Sequence, residues 1–238
     1  VKIYKKIFIV IVIIMHIDFK NIKIFCLTCE SEKEGHRRNH AKDMFHPEFV
    51  EPIIGIAKNK SGASGFMKMV ELGLKLQKCN QPFQPFILLE DDVSINRNID
   101  TIDIPDDTDI LYVGLSNCSM NDYCFHYANY YESVPNYSEI IRIKHMLSTH
   151  GIMVCSPLGA SVIQKVMLEV FVSDKAWDIP LAYLQPYYNV YALRDPFVYQ
   201  DEKYGGDERS TKITLYGPDN ILPNEWITHD LICLRMLR

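Results

Sequence analysis

Several signatures are missing from this 238-residue chain, and each absence closes a class of function. No G-x-x-x-x-G-K-[ST] occurs, because the glycines of SGASGFMK lack the GK[ST] that cradles nucleotide phosphates, so a P-loop ATPase is rejected. Neither H-E-x-x-H nor G-x-S-x-G is present, which removes support for zinc proteases and α/β-hydrolases. The apolar run from Ile7 to Met15 falls well short of the ~20 residues a membrane span needs, and no small-residue cleavage site follows it. Residues 1–14 are therefore read as an extension outside the main domain, with Met15 as the expected start. A short anchor or an added edge strand are the alternatives. A basic excess is missing too: the net charge is -5, so no nucleic-acid footprint dominates.

The seven cysteines are odd in number and scattered, which argues against a disulfide framework. Cys26 and Cys29 form a C-x-x-C, yet no second pair at zinc spacing follows, and KIFCLTC reads as a strand. Reduced core thiols in an intracellular, cytoplasmic protein are the expectation.

What is present is ordinary globular composition, 47% hydrophobic, with no internal repeat and no clear linker. Residues 22–28 read as a first strand. Residues 31–45 read as a polar helix opened by a capping box, Ser31 with Glu34. Residues 49–57 are β-rich around Pro52, and 58–65 (KNKSGASG) read as a loop before an apolar helix over 66–78. Residues 86–89 form a short apolar strand of the kind covered on both faces, and 109–115 another. Residues 116–138 read as a long loop, followed by strands over 139–143 and 151–155. Helices are expected over 157–172 and 176–185, strands over 189–193 and 196–199, and a polar loop over 201–210. Strands alternating with helices in the first half imply parallel β-α-β units, with antiparallel additions later.

In FILLEDDV, Glu90, Asp91 and Asp92 follow the buried strand at once. Adjacent carboxylates repel, and burying them is costly unless something positive is near. In open α/β sheets ligands bind outside the carboxyl ends of strands, where these acids fall. Mg²⁺ and Mn²⁺ prefer hard oxygen ligands and take one or two carboxylates, with substrate phosphates completing the shell. A solvated turn is the competing reading.

LLEDDV resembles the D-x-D or E-D-D element of GT-A-fold glycosyltransferases. Further blocks follow in the order of the lipooligosaccharide-type enzymes (family 25) and their chlorella-virus relatives: Arg37 and Arg38 on a polar helix, SGASG, THGIMVCSPLGASVIQKVM, WDIPL, and PFVYQ with Ser210 and Thr211. The resemblance spans roughly residues 20–212, and the chain departs from it at Gly65-Phe66, where a Gly-Cys and later His are expected. It implies a single α/β, Rossmann-like GT-A domain over 15–238, with a mixed, mainly parallel central sheet flanked by helices. The nucleotide part would cover about 20–115 and the acceptor part about 116–212. It implies a metal-dependent hexosyltransferase using a UDP-sugar and Mn²⁺ or Mg²⁺ on a glycan or glycoprotein acceptor, in viral capsid or surface glycan synthesis within host cytoplasm. It involves no nucleic acid and no stable membrane span, with further domains of a longer polypeptide as potential partners.

On that resemblance Asp92 is the metal ligand, and Glu90 and Asp91 serve the ribose and the ligands around the metal. Thr28, Arg38, Lys60, Gly62 and Ser64 contact the nucleotide-sugar. Asp178 in WDIPL is the base that takes the acceptor hydroxyl proton, with Asp207 as its backup. Plain structural readings accompany each: Thr28 as a strand residue, Arg38 as a solvated helix residue, 58–65 as a connecting loop, Asp178 as a helix cap and Asp207 as an exposed loop acid. His150 and His229 are candidate second ligands, and Trp177 is either an acceptor platform or core. A non-catalytic nucleotide-sugar-binding module and a nucleotide-sugar hydrolase remain the rival functions.

Overall fold

The computed structural model describes residues 14–29, 35–114, 130–144, 146–147, 149–174 and 176–204. The Ser31/Glu34 capping box, most of the long loop, Asp207, Ser210, Thr211 and His229 lie outside the described residues.

Among the described residues the chain is α/β, with a ten-stranded mixed sheet and four α-helices. The strands are β1 (Ile14–Asp18), β2 (Lys23–Leu27), β3 (Glu48–Val50), β4 (Phe86–Glu90), β5 (Val93–Ile95), β6 (Thr101–Pro105), β7 (Ile110–Gly114), β8 (Tyr130–Val134), β9 (Tyr137–Lys144), β10 (Gly151–Val154), β11 (Val190–Leu193) and β12 (Val198–Gln200). The helices are α1 (His36–Phe45), α2 (Lys58–Lys75), α3 (Pro157–Ser173) and α4 (Asp178–Leu184). The large sheet runs β3-β2-β4-β10-β7-β11-β9-β8, with β12 beside β7 and β5 beside β12; β1 and β6 form a separate two-stranded ribbon.

β2, β3, β4, β7, β11 and β12 point one way, while β10, β9 and β5 oppose them. The expectation of a mainly parallel sheet needs correction at its centre. β10 lies between β4 and β7 and is antiparallel to both. The reversal brings the start of β10 to the carboxyl ends of β4 and β7, so Thr149 and His150 arrive beside Glu90.

Strand alternation divides the core into two layers. Phe86 and Leu88 face α2 and α3, packing with Phe66, Met69, Val70, Ile163 and Val166. Ile87 and Leu89 face the other way, onto Ile17, Ile102 and Ile104 of the ribbon and Ala41 of α1. Both faces of β4 are therefore covered, which explains why its sequence is an unbroken apolar run. The polar face of α1 lies outward, as its composition requires.

The largest local difference from expectation is at 58–65. These residues form the first two turns of α2 rather than a loop, and of the β-rich stretch only Phe49 and Val50 are in a strand, the end of β3. Glycine disfavours a helix interior by about 1 kcal/mol, but tight packing outweighs it here. A methyl at Gly62 would land inside the Trp177 ring, and one at Gly65 would collide with Leu27. The glycines let α2 approach both neighbours closely. Among the described residues no helix is long and apolar enough to cross a membrane.

Candidate functional site

The carboxyl edge of the sheet gathers the candidate residues. Leu27 of β2 pairs with Glu90 of β4, so Thr28 stands next to the Glu90–Asp92 turn. Thr28 is buried, and its amide donates to the Val50 carbonyl. Asp91 and Asp92 are both only 7% exposed, which rules out the solvated turn.

The three acids point in different directions because of strand parity. Glu90 shares the face of Phe86 and Leu88, the helix-covered side. There its Oε1 accepts a hydrogen bond from Thr149 Oγ1 at 2.8 Å, and Thr149 Oγ1 accepts one from the Trp177 indole Nε1 at 2.7 Å. Asp178 follows Trp177 directly and lies near enough for its charge to act on Glu90. Asp91 turns toward α1, with Arg37 Nη1 3.6 Å from its Oδ1. Asp92 faces β12: its Oδ2 accepts from Gln200 Nε2 at 3.3 Å, while its Oδ1 is buried without a hydrogen-bond partner.

The electrostatics are unfavourable as they stand. Burial, reinforced by the Asp92 charge, pushes the Glu90 carboxyl up to about 8, against the opposing pull of the Thr149 hydroxyl. Burial also raises Asp92 to about 6; the Arg37 guanidinium works against this and the Asp91 charge adds to it. Asp178 is shifted upward by burial, partly countered by backbone donors including the Ile179 amide at 2.9 Å. Cys26, beneath the turn, has its thiol held well above the ordinary value by burial and then by the neighbouring acids. One guanidinium on the rim does not neutralise this concentration of carboxylates.

The donor set fits a hard divalent cation: carboxylate oxygens at a strand end, one of them buried and unpartnered. Among the described residues no group of three His, Cys, Asp or Glu side chains forms a complete metal cage. A site of this kind would depend on phosphate and water to complete the shell.

The predicted residues divide into groups. Thr28, Glu90, Asp91, Asp92 and Asp178 come together at one edge. Arg38 is engaged beside them: its Nη1 pairs with Glu51 Oε1 at 3.1 Å, its guanidinium lies 4.5 Å over the Phe49 ring, and its charge reaches Cys26 beneath the acids. Arg37, one position earlier and about 100° around the helix, takes the place beside Asp91. Ser64 is occupied within the fold, donating to the Ser61 carbonyl at 2.6 Å and accepting from the Ile53 amide at 2.9 Å. Gly62 acts through its lack of a side chain, as the seat for Trp177, and Lys60 is half-buried in the first turns of α2. Asp178 is the first residue of α4 and not its cap, a place Trp177 takes because the helix begins one residue earlier than the cap reading required; its Oδ1 accepts from the Ile179 amide. His150 is buried, its imidazole pushed down to about 3 by desolvation, with its ring against Gly114.

Sequence reasoning overlooked Thr149 and Gln200. Gln200 ends PFVYQ, so its position at a strand end was a usable signal. Thr149 offered none, because its place depends on the reversed direction of β10.

Compared with known proteins, the chain matches no protein-family model, and no curated protein is significantly similar to it.

Proposed function

We propose that the chain is a metal-dependent glycosyltransferase that moves a sugar from a nucleotide-sugar, of the UDP-glucose type, to a glycan or glycoprotein hydroxyl. The buried, unpartnered Oδ1 of Asp92 at the carboxyl edge of the sheet carries this reading. Such an oxygen is costly to keep unless a ligand completes it. The GT-A resemblance of LLEDDV supplies the ligand class.

In this reading Asp92 would hold Mn²⁺ or Mg²⁺, with its unpartnered Oδ1 available for the purpose, and the cation would supply charge neutralisation for the departing nucleoside diphosphate. Asp91, oriented by Arg37, and Thr28 receive the ribose and base at the ends of β2 and β4. Glu90 is held by Thr149 in the half-buried space facing Trp177 and Asp178. Asp178 takes the proton of the acceptor hydroxyl; its burial strengthens it as a base by disfavouring the carboxylate. Trp177, seated on Gly62 and tied to Thr149, forms the apolar wall against which a sugar ring packs.

The test is release of UDP from UDP-sugars with Mn²⁺, with and without an acceptor glycan panel, for wild type and Asp92→Ala. Equal rates in the two proteins would remove the role given to Asp92. Metal-dependent UDP binding without turnover would point instead to a binding module. Turnover indifferent to every acceptor would point to a hydrolase.

A further inference from the structure

We propose that the end of β12 is a clamp on Asp92, in which Gln200 and Asp201 are positioning residues held in place by Ser94 and His40. The inference rests on the metal reading of Asp92 and adds residues to it that act through Asp92 rather than on substrate.

The clamp grips Asp92 at two points. Gln200 Nε2 donates to Oδ2, and the Asp201 amide donates to the Asp92 main-chain carbonyl at 2.8 Å. An ionised carboxylate only accepts, so the Gln200 amide must present its nitrogen. Gln200 takes one lone pair of Oδ2 and leaves Oδ1 wholly unengaged. The two grips extend a short ladder in which Gln200 pairs with Val93 and Tyr199 with Ser94. β5 and β12 have only three residues each, so backbone pairing alone is a weak restraint.

A side-chain chain supplies the missing restraint. Asp201 Oδ2 accepts from Ser94 Oγ at 2.8 Å, and Asp201 Oδ1 accepts from the Lys203 amide at 3.0 Å. Ser94 has one proton, and it is committed to Asp201. His40 Nε2, 2.8 Å from Ser94 Oγ, is therefore the donor in that contact, which fixes its tautomer. The His40 ring stacks on Tyr204 at 4.0 Å and 18°. Helix α1, β5 and the turn after β12 are thus joined through one buried hydroxyl, with Ser94 5% exposed. The chain lies behind Asp92, on the side away from Thr149 and Trp177.

The experiment uses the full chain with two readouts: Mn²⁺ affinity by electron paramagnetic resonance, and hydrogen exchange of the Asp201 amide. Ser94→Ala is expected to weaken Mn²⁺ about tenfold, in line with losses of outer-shell partners, and to speed Asp201 exchange. Ser94→Thr, which keeps the hydroxyl, is expected to restore both. Gln200→Leu is expected to weaken Mn²⁺ similarly while leaving the Asp201 amide protected. Wild-type Mn²⁺ affinity in both Ser94→Ala and Gln200→Leu would overturn the clamp. Should wild type itself bind no Mn²⁺, the metal reading fails, and exchange alone decides the clamp: acceleration in Ser94→Ala upholds it and no change overturns it.

Discussion

Two acidic turns, IPDDTDI and LLEDDV, sit at opposite edges of the same core strands, and their fates differ. At the first, Asp109 is buried but fully engaged: Oδ1 accepts from Ser156 Oγ at 2.6 Å and Oδ2 from the Asn189 amide at 3.2 Å. Ser156 in turn caps α3 through the Gly159 amide at 3.0 Å. Asp106 and Asp107 are exposed, and Asp107 accepts from the Tyr191 hydroxyl at 3.3 Å. At the second turn Asp91 and Asp92 are buried, Glu90 is half-buried, and one oxygen of Asp92 has no partner. An acidic run is therefore not in itself a site. Burial combined with an unmet acceptor separates the two turns.

The sharpest test exchanges the two roles. Asp92→Ala should cut metal-dependent turnover about 100-fold or more, since metal stabilisation of transition-state charge is worth several kcal/mol, while the protein stays folded. Asp109→Ala should do the reverse. Turnover per folded molecule holds, but stability falls by about 2 kcal/mol as the Asn189 amide and Ser156 hydroxyl lose their side-chain partner. Thermal unfolding alongside UDP release measures both, and matching profiles for the two variants would erase the distinction.

A pH series without metal sharpens the comparison from the electrostatic side. The folded-state values of Asp92 and Glu90, about 6 and about 8, lie above their ordinary 3.8 and 4.5. A carboxyl raised in this way binds its proton more tightly when folded, so its ionisation opposes folding. The contribution of this pair should therefore fall as pH rises from about 4 to about 8. Asp92→Asn should remove the lower part of that decline and, by deleting the charge that helps raise Glu90, shrink the upper part as well, while Asp109→Asn should leave it in place. Denaturant midpoints across the range provide the measurement.

Smaller effects divide the polar contacts around the second turn. Thr149→Val removes the link between Glu90 and Trp177 and should lower turnover about tenfold, the scale for outer-shell partners, with unfolding shifted by less than for Asp109→Ala. Arg37→Ala should raise KM for the donor up to about fivefold, as expected for a partly exposed ion pair. Arg38→Ala should leave KM unchanged and cost about 0.5–1 kcal/mol of stability through Phe49 and Glu51. Steady-state kinetics on both arginine variants separate them, and an Arg38 effect on KM larger than that of Arg37 would return the nucleotide role to Arg38.

Much of this arrangement was legible in advance because it depends on local pattern. The apolar runs predicted β4 and β7, the apolar stretch over 157–172 predicted α3, and the acids after β4 were correctly read as lying at a strand's carboxyl end. The misreadings have a common origin in long-range packing. KNKSGASG carries loop-like residues, yet Trp177 and Leu27 press against its glycines and stabilise a helix there. The division between Arg37 and Arg38 was not legible, because a helix surface shows two adjacent arginines equally until Glu51 and Phe49 engage one and Asp91 the other.

The sequence by itself determined the two-sided burial of β4 and the placement of three acids directly behind it, since both follow from the order of apolar and charged residues along one strand. Only the tertiary structure decided which acid faces what. The reversed β10 brought Thr149 to Glu90, α1 brought Arg37 to Asp91, and β12 brought Gln200 to Asp92. Those partners come from segments tens of residues apart, and strand direction and register, not local propensity, decide where their side chains meet.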